Sequence, residues 1–82
     1  MRLPPEYHQR NVERVNKMSV AENFELAVNG YELEYPYHAR IDIRDIVSEM
    51  SVAECKEWAV FYEDEIDRMW YEFDNFCFSD YM

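Results

Sequence analysis

Residues 18–28 read MSVAENFELAV and residues 50–60 read MSVAECKEWAV, so eight of eleven positions are identical at an offset of 32. Both copies contain Ser-Val-Ala-Glu, which is a capping box. In such a box the serine side chain accepts a hydrogen bond from a first-turn backbone N–H, and the glutamate reaches back to the serine N–H. The repeat therefore predicts two helix starts, at Ser19 and Ser51. An ancient duplication and two independent uses of one common helix start explain it equally well.

The first repeated segment predicts a helix over residues 19–29. It is expected to stop at Asn29-Gly30, because glycine just past the last apolar position is a usual stop signal. Upstream, Pro4-Pro5 and the polar residues that follow predict a short helix over residues 5–16, with a proline in its first turn.

Between the two copies, the apolar residues change their period. From Tyr31 to Ile43 they occupy every odd position and alternate mostly with charged residues, which is typical of a half-buried extended chain. Pro36 cannot donate to a ladder, so we expect a short extended or β segment over residues 31–43, in two pieces. The alternative is a helix that starts at Asp42. An extended segment followed along the chain by this short helix is also compatible with the pattern. The apolar stripe of that helix is Ile43, Ile46, Val47 and Met50.

From Ser51 the chain predicts one long helix over residues 51–77. Its apolar positions keep one face through spacings of three and four residues. A two-stranded coiled coil has the same spacing, but alanine and aromatic residues in the stripe favour an irregular globular core. We therefore predict a mostly α fold, with α+β as the alternative. The stripe consists of Cys55, Ala59, Tyr62, Ile66, Met69, Phe73 and Phe76.

The charges are divided unevenly along the chain. Residues 1–17 form a basic N-terminal segment with four basic and two acidic residues, whereas residues 18–82 hold sixteen acidic and four basic residues, a formal charge of −12. Within them, residues 51–82 form an acidic, aromatic C-terminal helix and tail. A chain this acidic repels nucleic acid and anionic membrane, and it attracts basic partners through fields that salt weakens.

Composition indicates that this charge sits on a folded domain. Hydrophobic residues make up 49% and aromatic residues 17% of the chain, unlike acidic disordered chains. We expect residues 1–82 to form a single domain with a small core. The first residues contain no apolar run typical of a signal peptide, so a cytoplasmic protein is expected. Cys55 and Cys77, about 33 Å apart on one helix, are expected to be free thiols.

Motifs for metal or catalytic chemistry are weak or missing. An EF-hand loop begun at Glu63 puts Arg68 where the sharp turn requires glycine. His8 and His38 lack the preceding glutamate of a di-iron carboxylate site, and the cysteines lack zinc-site spacing. A chain with one glycine has no Gly-rich phosphate loop, and it holds no nucleophile motif. We therefore predict no enzyme activity, no cofactor and no metal site.

The second half of the long helix places acidic residues between aromatic ones. The helix macrodipole disfavours acids near a C-terminal end by about 0.3–1 kcal/mol each, and interleaved aromatics suit a protein interface. A solvated face that keeps the domain soluble is the simpler explanation. The predicted partner-binding residues are Glu63, Asp64, Glu65, Asp67, Tyr71, Glu72, Asp74, Phe78, Asp80 and Tyr81.

Charge density limits how closely this helix can imitate DNA. Eight acids between Glu54 and Asp74 lie along about 30 Å of helix, or one per roughly 4 Å. Duplex DNA carries one charge per about 1.7 Å of axis. Imitation of a duplex therefore requires a dimer or a second acidic element on the same side. The second element is predicted among Glu32, Glu34, Asp42, Asp45 and Glu49.

A small, strongly acidic single domain without a catalytic motif resembles the inhibitors that phages and mobile elements use against host defence. These include anti-CRISPR proteins, anti-restriction proteins and other DNA mimics. The families share no common motif, so the resemblance covers overall character and transfers no functional residue. It implies stoichiometric binding to a nucleic-acid-handling host protein in the host cytoplasm.

The leading hypothesis is a non-catalytic inhibitor whose acidic C-terminal helix meets a basic nucleic-acid-binding surface of a host defence protein. It makes no direct contact with nucleic acid or membrane. Reversal of four acids to lysine is expected to abolish binding and to leave the fold intact. These acids are Glu63, Asp64, Glu65 and Asp67.

Two alternatives remain open at this point. One is a small assembly or scaffolding protein that self-associates, for example as a homodimer. Its predicted contact residues are Trp58, Phe61, Trp70 and Phe73. The other is an acidic metal-binding domain, whose melting temperature responds to divalent ions.

Overall fold

The computed structural model describes the chain from residue 3 to residue 80, with side chains as far as Phe73. The described residues form four helices and contain no strand. We number the helices α1 (Pro5–Lys17), α2 (Val20–Glu34), α3 (Arg40–Ser48) and α4 (Val52–Asp80). The mostly α class, the N-terminal helix and the long C-terminal helix are thereby confirmed.

Both repeated segments start a helix, as their capping boxes predict. The Oγ of Ser19 accepts from the backbone N–H of Glu22 at 3.1 Å, and the Oγ of Ser51 accepts from that of Glu54 at 3.2 Å. Each glutamate carboxylate in turn accepts a hydrogen bond from the hydroxyl of its serine, at 3.1 Å and 3.5 Å. The carboxylates thus bond the serine side chains, where the box predicted bonds to the serine backbone.

Gly30 does not end α2, so the predicted stop is wrong. The helix continues to Glu34, and Gly30 does not have a positive φ. A Cβ at residue 30 would lie 2.5 Å from the carbonyl oxygen of Trp58 and 3.2 Å from the Cβ of Tyr62. Glycine is therefore needed here because the backbones of α2 and α4 approach closely. A glycine at a helix contact looks the same in the sequence as a helix stop.

The predicted extended segment over residues 31–43 is also wrong. Residues 31–34 complete α2, residues 35–39 form a turn, and α3 begins at Arg40. Tyr31 and Tyr35 lie four residues apart and both approach Trp58, with ring centroids at 5.1 and 6.4 Å. Tyr37 is 99% exposed. The alternating pattern therefore arises from an apolar helical stripe together with exposed apolar side chains, and it does not indicate a sheet.

The alternative helix near Asp42 is the correct interpretation of this region. Ile43 and Val47 are buried against α2, as the stripe predicts. The helix begins two residues earlier than expected, and its N-cap residue Ala39 makes no side-chain capping bond. Burial of the apolar stripe, more than local capping, stabilises this short helix.

Helices α2 and α4 run parallel, with the two repeats in register. Val20 and Val52 line one cleft at the N-terminal ends of the helices, and Gly30 meets Tyr62 further along. Both pairs are 32 residues apart, which is the offset of the repeat. The buried core lies on both sides of α2, against α3 and α4. It contains Ala27, Val28, Ile43 and Val47, with Trp58 packed against them.

Helix α1 lies antiparallel to α4 on a different face. Tyr7, near the start of α1, meets Tyr71 near the far end of α4, with ring centroids 6.1 Å apart. At the other end of α1, the buried Val15 lines a cleft together with Val60 and Phe61. Helix α4 is therefore the element that both α1 and α2 pack against.

Candidate interaction surface

Asp64 and Asp67 are bound by α1. The Nδ2 of Asn11 donates to Asp64 at 2.8 Å and to Asp67 at 2.9 Å. The Nδ1 of His8 lies 2.6 Å from Asp64, and Arg10 approaches Asp67 at 3.9 Å. Two of the predicted partner-binding acids thus hold the N-terminal helix in place.

Glu63 and Glu65 also have partners within the chain. The guanidinium of Arg14 donates to Glu63 at 3.3 Å. Glu65 pairs with Arg68, one turn further along α4. The four clustered acids lie close together on α4, and basic or amide groups of this chain lie against each of them. They are therefore engaged within the chain before any partner arrives.

Beyond these acids, α4 presents a cleft with exposed apolar walls, which we call the distal α4 surface. It is lined by Ile66, Met69, Trp70, Glu72 and Phe73 and has a volume of about 710 Å³. Met69, Trp70 and Phe73 are 59%, 62% and 57% exposed. The rings of Trp70 and Phe73 meet edge to face, with centroids 6.1 Å apart. Large apolar side chains clustered in this way are characteristic of interaction sites.

The exposure of this surface follows from the length of α2. The face of α4 that holds Cys55, Ala59 and Tyr62 packs toward α2, and the same stripe continues to Met69 and Phe73. Since Gly30 meets Tyr62, the last residue of α2 reaches about the level of Ile66. The apolar stripe therefore continues seven residues past the end of its partner helix, to Phe73, and this part of it is left uncovered.

The other predicted partner-binding residues have different positions. Tyr71 is half-buried, and its ring packs against Tyr7 of α1. Glu72 is exposed at the distal α4 surface. The side chains of Asp74, Phe78 and Asp80, and the whole of Tyr81, lie outside the described residues.

The outer face of α3 carries a separate acidic stripe. Asp42, Asp45 and Glu49 are exposed and lie at three- and four-residue spacing, on the side of α3 opposite the buried Ile43 and Val47. Three of the five residues predicted for the second acidic element therefore share one side of α3. Glu34 is exposed at the end of α2.

Two acids of α2 are paired with arginines of α3. The guanidinium of Arg44 donates to both carboxylate oxygens of Glu25, at 3.0 and 3.1 Å, and this bond lowers the pKa of Glu25. Arg40 pairs with Glu32 and also donates to the Oδ1 of Asn29 at 2.9 Å. These pairs span the α2–α3 contact, so Glu32 does not add to a free acidic face.

Two buried asparagines were not predicted from the sequence. Asn11 is fully buried and Asn23 is 2% exposed. The sequence offered one indication for Asn11: it lies four residues from both Tyr7 and Val15, on the face of α1 that was expected to pack against the rest of the domain. Asn23 occupies the repeat position that Cys55 occupies in the second copy.

The described residues show little that fits metal or thiol chemistry. No group of three or more histidine, cysteine, aspartate or glutamate side chains is placed to hold a metal ion within residues 3–73. Cys55 is a free thiol whose pKa is raised by burial and further by the nearby Glu54. A raised thiol pKa reduces the reactive thiolate, so Cys55 acts as an apolar packing residue.

No protein-family model, curated protein or solved structure matches this chain. Over its described residues, no helix combines the length and the apolar character needed to cross a bilayer.

Proposed function

We propose that this protein is a non-catalytic acidic inhibitor that binds a basic surface of a nucleic-acid-binding protein. The observation that carries the proposal is the distal α4 surface, where Trp70, Phe73 and Met69 are more than half exposed on a chain of net charge −10. Aromatic residues and methionine are enriched at the centres of protein interfaces. Such anchors supply affinity, while the charge of the whole molecule selects the partner.

The sign of the charge supports a basic partner. A net charge of −10 on 82 residues produces a long-range field that raises the rate of encounter with basic surfaces. Asp42, Asp45 and Glu49 contribute to this field from exposed positions on α3. Salt screens such fields over about 8–10 Å, so binding is expected to weaken as ionic strength rises.

The pairing of Glu63, Asp64 and Asp67 with α1 favours obstruction of a basic groove over imitation of a duplex. The acids along α4 were already sparser than phosphates on DNA, and internal pairing lowers their free charge further. A groove blocker needs a shape that fits and a favourable field, and it does not need phosphate spacing.

The resemblance to phage and mobile-element inhibitors leads us to propose a host defence protein as the target. In this scheme the chain acts in the host cytoplasm and binds stoichiometrically, in the manner of anti-CRISPR and anti-restriction proteins. The support for this step is the class resemblance together with the acidity of the chain.

The proposal is tested by pull-down from host lysate at about 50 and 500 mM salt, with the wild-type chain and a Trp70→Ser, Phe73→Ser double variant. Loss of two aromatic anchors is expected to weaken binding at least about 30-fold, because hot-spot residues contribute 2 kcal/mol or more. The captured protein should bind DNA or RNA, and excess nucleic acid should release it. The matched control is Tyr37→Ser with Ile41→Ser, which also removes two exposed apolar side chains.

Equal capture by both double variants, or capture that does not change with salt, would contradict the proposal. So would a captured protein that retains full nucleic-acid binding while it is held.

Self-association is a second candidate that the same surface favours. Of its four predicted contact residues, Trp58 and Phe61 are half-buried, which leaves Trp70 and Phe73 as exposed contacts. Light scattering separates the two functions. A dimer that forms equally at low and high salt, without affinity for basic proteins, supports a scaffold, whereas a monomer supports the inhibitor.

A further inference from the structure

The 32-residue offset of the repeat extends from α2 and α4 to the helices that precede them. Adding 32 to Asn11 and Val15, the buried residues of α1, gives Ile43 and Val47, the buried residues of α3. Helix α1 packs on α4, and α3 packs on α2. The α1–α4 and α2–α3 contacts are therefore two versions of one interface, and a residue of one version has an equivalent in the other.

The α2–α3 version is filled by side chains of the chain itself. Phe24 of α2 packs against the buried core that contains Ile43 and Val47. The guanidinium carbon of Arg44 lies 5.2 Å from the centre of the Phe24 ring. The same guanidinium donates to both carboxylate oxygens of Glu25, at 3.0 and 3.1 Å. A ring, a guanidinium and a carboxylate therefore lie together in this interface.

The α1–α4 version keeps the carboxylate and lacks the other two groups. Its equivalents of the ring, the guanidinium and the carboxylate are Lys56, Val12 and Glu57. All three line a groove of about 470 Å³ between α1 and α4. Glu57 is exposed, and the ion pairs among the described residues do not include it. The groove therefore offers a carboxylate without the guanidinium that its equivalent binds.

The rest of the lining suits a cation with an apolar stem. Val15, Val60 and Phe61 supply apolar walls, and the volume is typical of a ligand site. Lys56 is a basic residue of this lining, but a lysine stem can cover an apolar wall while its ammonium stays in water. The net charge of −10 favours a cation over an anion at such a site.

We propose that this groove receives an arginine side chain of the basic partner, together with an apolar neighbour of that arginine. The guanidinium bonds to Glu57 as Arg44 bonds to Glu25, and the apolar neighbour lies where Phe24 lies in the other version. Arginine is favoured over lysine because a planar guanidinium forms two parallel bonds to one carboxylate. The source of the arginine rests on the proposed function, whereas the preference for a guanidinium rests on the α2–α3 contact.

The preference is tested with three blocked dipeptides: acetyl-arginyl-phenylalanine amide and its citrulline and lysine counterparts. Citrulline has nearly the shape of arginine but carries no charge. Two-dimensional ¹H–¹⁵N NMR follows the backbone amides of Val12, Glu57 and Val60. We expect saturable shifts with the arginine peptide and at least about tenfold weaker binding of the citrulline peptide, because charge-assisted hydrogen bonds are the stronger ones. The lysine peptide should bind less tightly than the arginine peptide.

Two single variants locate the acceptor. Glu57→Gln should remove the preference for arginine over citrulline and lower capture of the partner from lysate. The matched control is Asp45→Asn, which removes one exposed negative charge from α3 and should change neither. Lys56→Gln should tighten binding of the arginine peptide, since it removes a cation from the lining.

A double variant, Val12→Arg with Lys56→Phe, rebuilds the α2–α3 arrangement within the groove. It should fold, and it should no longer bind the arginine peptide because its own side chains occupy the site.

The proposal is overturned if the wild-type protein shows no saturable shift, if it binds the arginine and citrulline peptides equally, or if the shifts lie at Trp70 on the distal α4 surface. Weaker binding in Lys56→Gln would indicate an anionic ligand and would also overturn it. Salt-dependent capture that persists beside any of these results would leave the proposed function standing. Equal capture by Glu57→Gln and Asp45→Asn would exclude the partner as the source of the arginine. The dipeptide comparison on the wild-type protein decides the matter even if the double variant does not fold.

Discussion

Two buried asparagines show at the residue scale how the same side chain has opposite effects in different surroundings. Asn11 donates to the carboxylates of Asp64 and Asp67 and so joins α1 to α4. Asn23 is buried, and neither atom of its amide has a hydrogen-bond partner. Hydrogen bonds to charged groups contribute about 1.5–3 kcal/mol, whereas a buried group without a partner costs about 1–3 kcal/mol.

Replacement of each asparagine by leucine is therefore expected to shift stability in opposite directions. Asn11→Leu should lower the free energy of unfolding by about 1–3 kcal/mol, because two close carboxylates lose their shared donor. Asn23→Leu should leave it unchanged or raise it by about 1 kcal/mol. Urea unfolding of both variants measures the difference, and each serves as the control for the other. A similar loss in both would show that burial alone, without regard to partners, sets the effect.

Gly30 gives a second prediction at this scale. In an ordinary helix interior, alanine is more favourable than glycine by about 1 kcal/mol. Here the new Cβ would meet the carbonyl oxygen of Trp58 at 2.5 Å, so α2 and α4 must move apart. We expect Gly30→Ala to lower the free energy of unfolding by about 1–3 kcal/mol, as overpacking does in cores. Thermal unfolding tests this, and a higher melting temperature would show that the contact relaxes freely.

At the scale of elements, the chain is organised around α4. Helix α2 packs on one face of it with the repeats in register, and the basic α1 packs on another through polar contacts. Exposed ion pairs contribute little, about 0–1 kcal/mol each, so α1 also depends on the burial of Val15 and Asn11. Removal of the acids that face α1 is therefore expected to destabilise the fold, apart from any effect on partner binding.

Reversal of Glu63, Asp64, Glu65 and Asp67 to lysine is expected to detach α1. Three of the four lysines would face α1, which carries Arg10 and Arg14, and Asn11 would lose both its acceptors. The expected outcome is a cooperative loss of stability and early hydrogen exchange in α1, and not the intact fold that the sequence led us to expect. The matched control is Asp42, Asp45 and Glu49 to lysine on the exposed face of α3, which should melt close to the wild type. An unchanged melting temperature in the fourfold variant would mean that α1 is held by its apolar contacts alone.

Local rules predicted where helices begin better than where they end. Ser19 and Ser51 were recognisable because a capping box depends on residues within one turn. Gly30 was misread because its role depends on a helix that starts more than twenty residues later. The alternation from Tyr31 to Ile43 was misread for a similar reason, since burial against Trp58 decides which of those residues are core.

At the scale of the whole molecule, charges that are separated along the sequence are adjacent in the fold. The sequence separates a basic start from an acidic remainder, and the fold brings them together through α1 and α4. Of the predicted partner-binding residues, Glu72 is exposed at the distal α4 surface, whereas the acids from Glu63 to Asp67 contact groups of this chain. The exposed Trp70 and Phe73 were predicted only as contacts for self-association. Such pairing was not visible beforehand, because the partners lie about fifty residues apart along the chain.

The order of the helices along the chain has a consequence for synthesis. Helix α4 is translated after α1, α2 and α3, yet α1 and α2 both depend on it for burial of their apolar faces. At about 5–20 residues per second, its 29 residues take about 1–6 s to add. During those seconds the first three helices lack the helix that completes their core. They are therefore expected to reach their final packing only once α4 has emerged, and a nascent chain that lacks α4 is a substrate for chaperones and proteases.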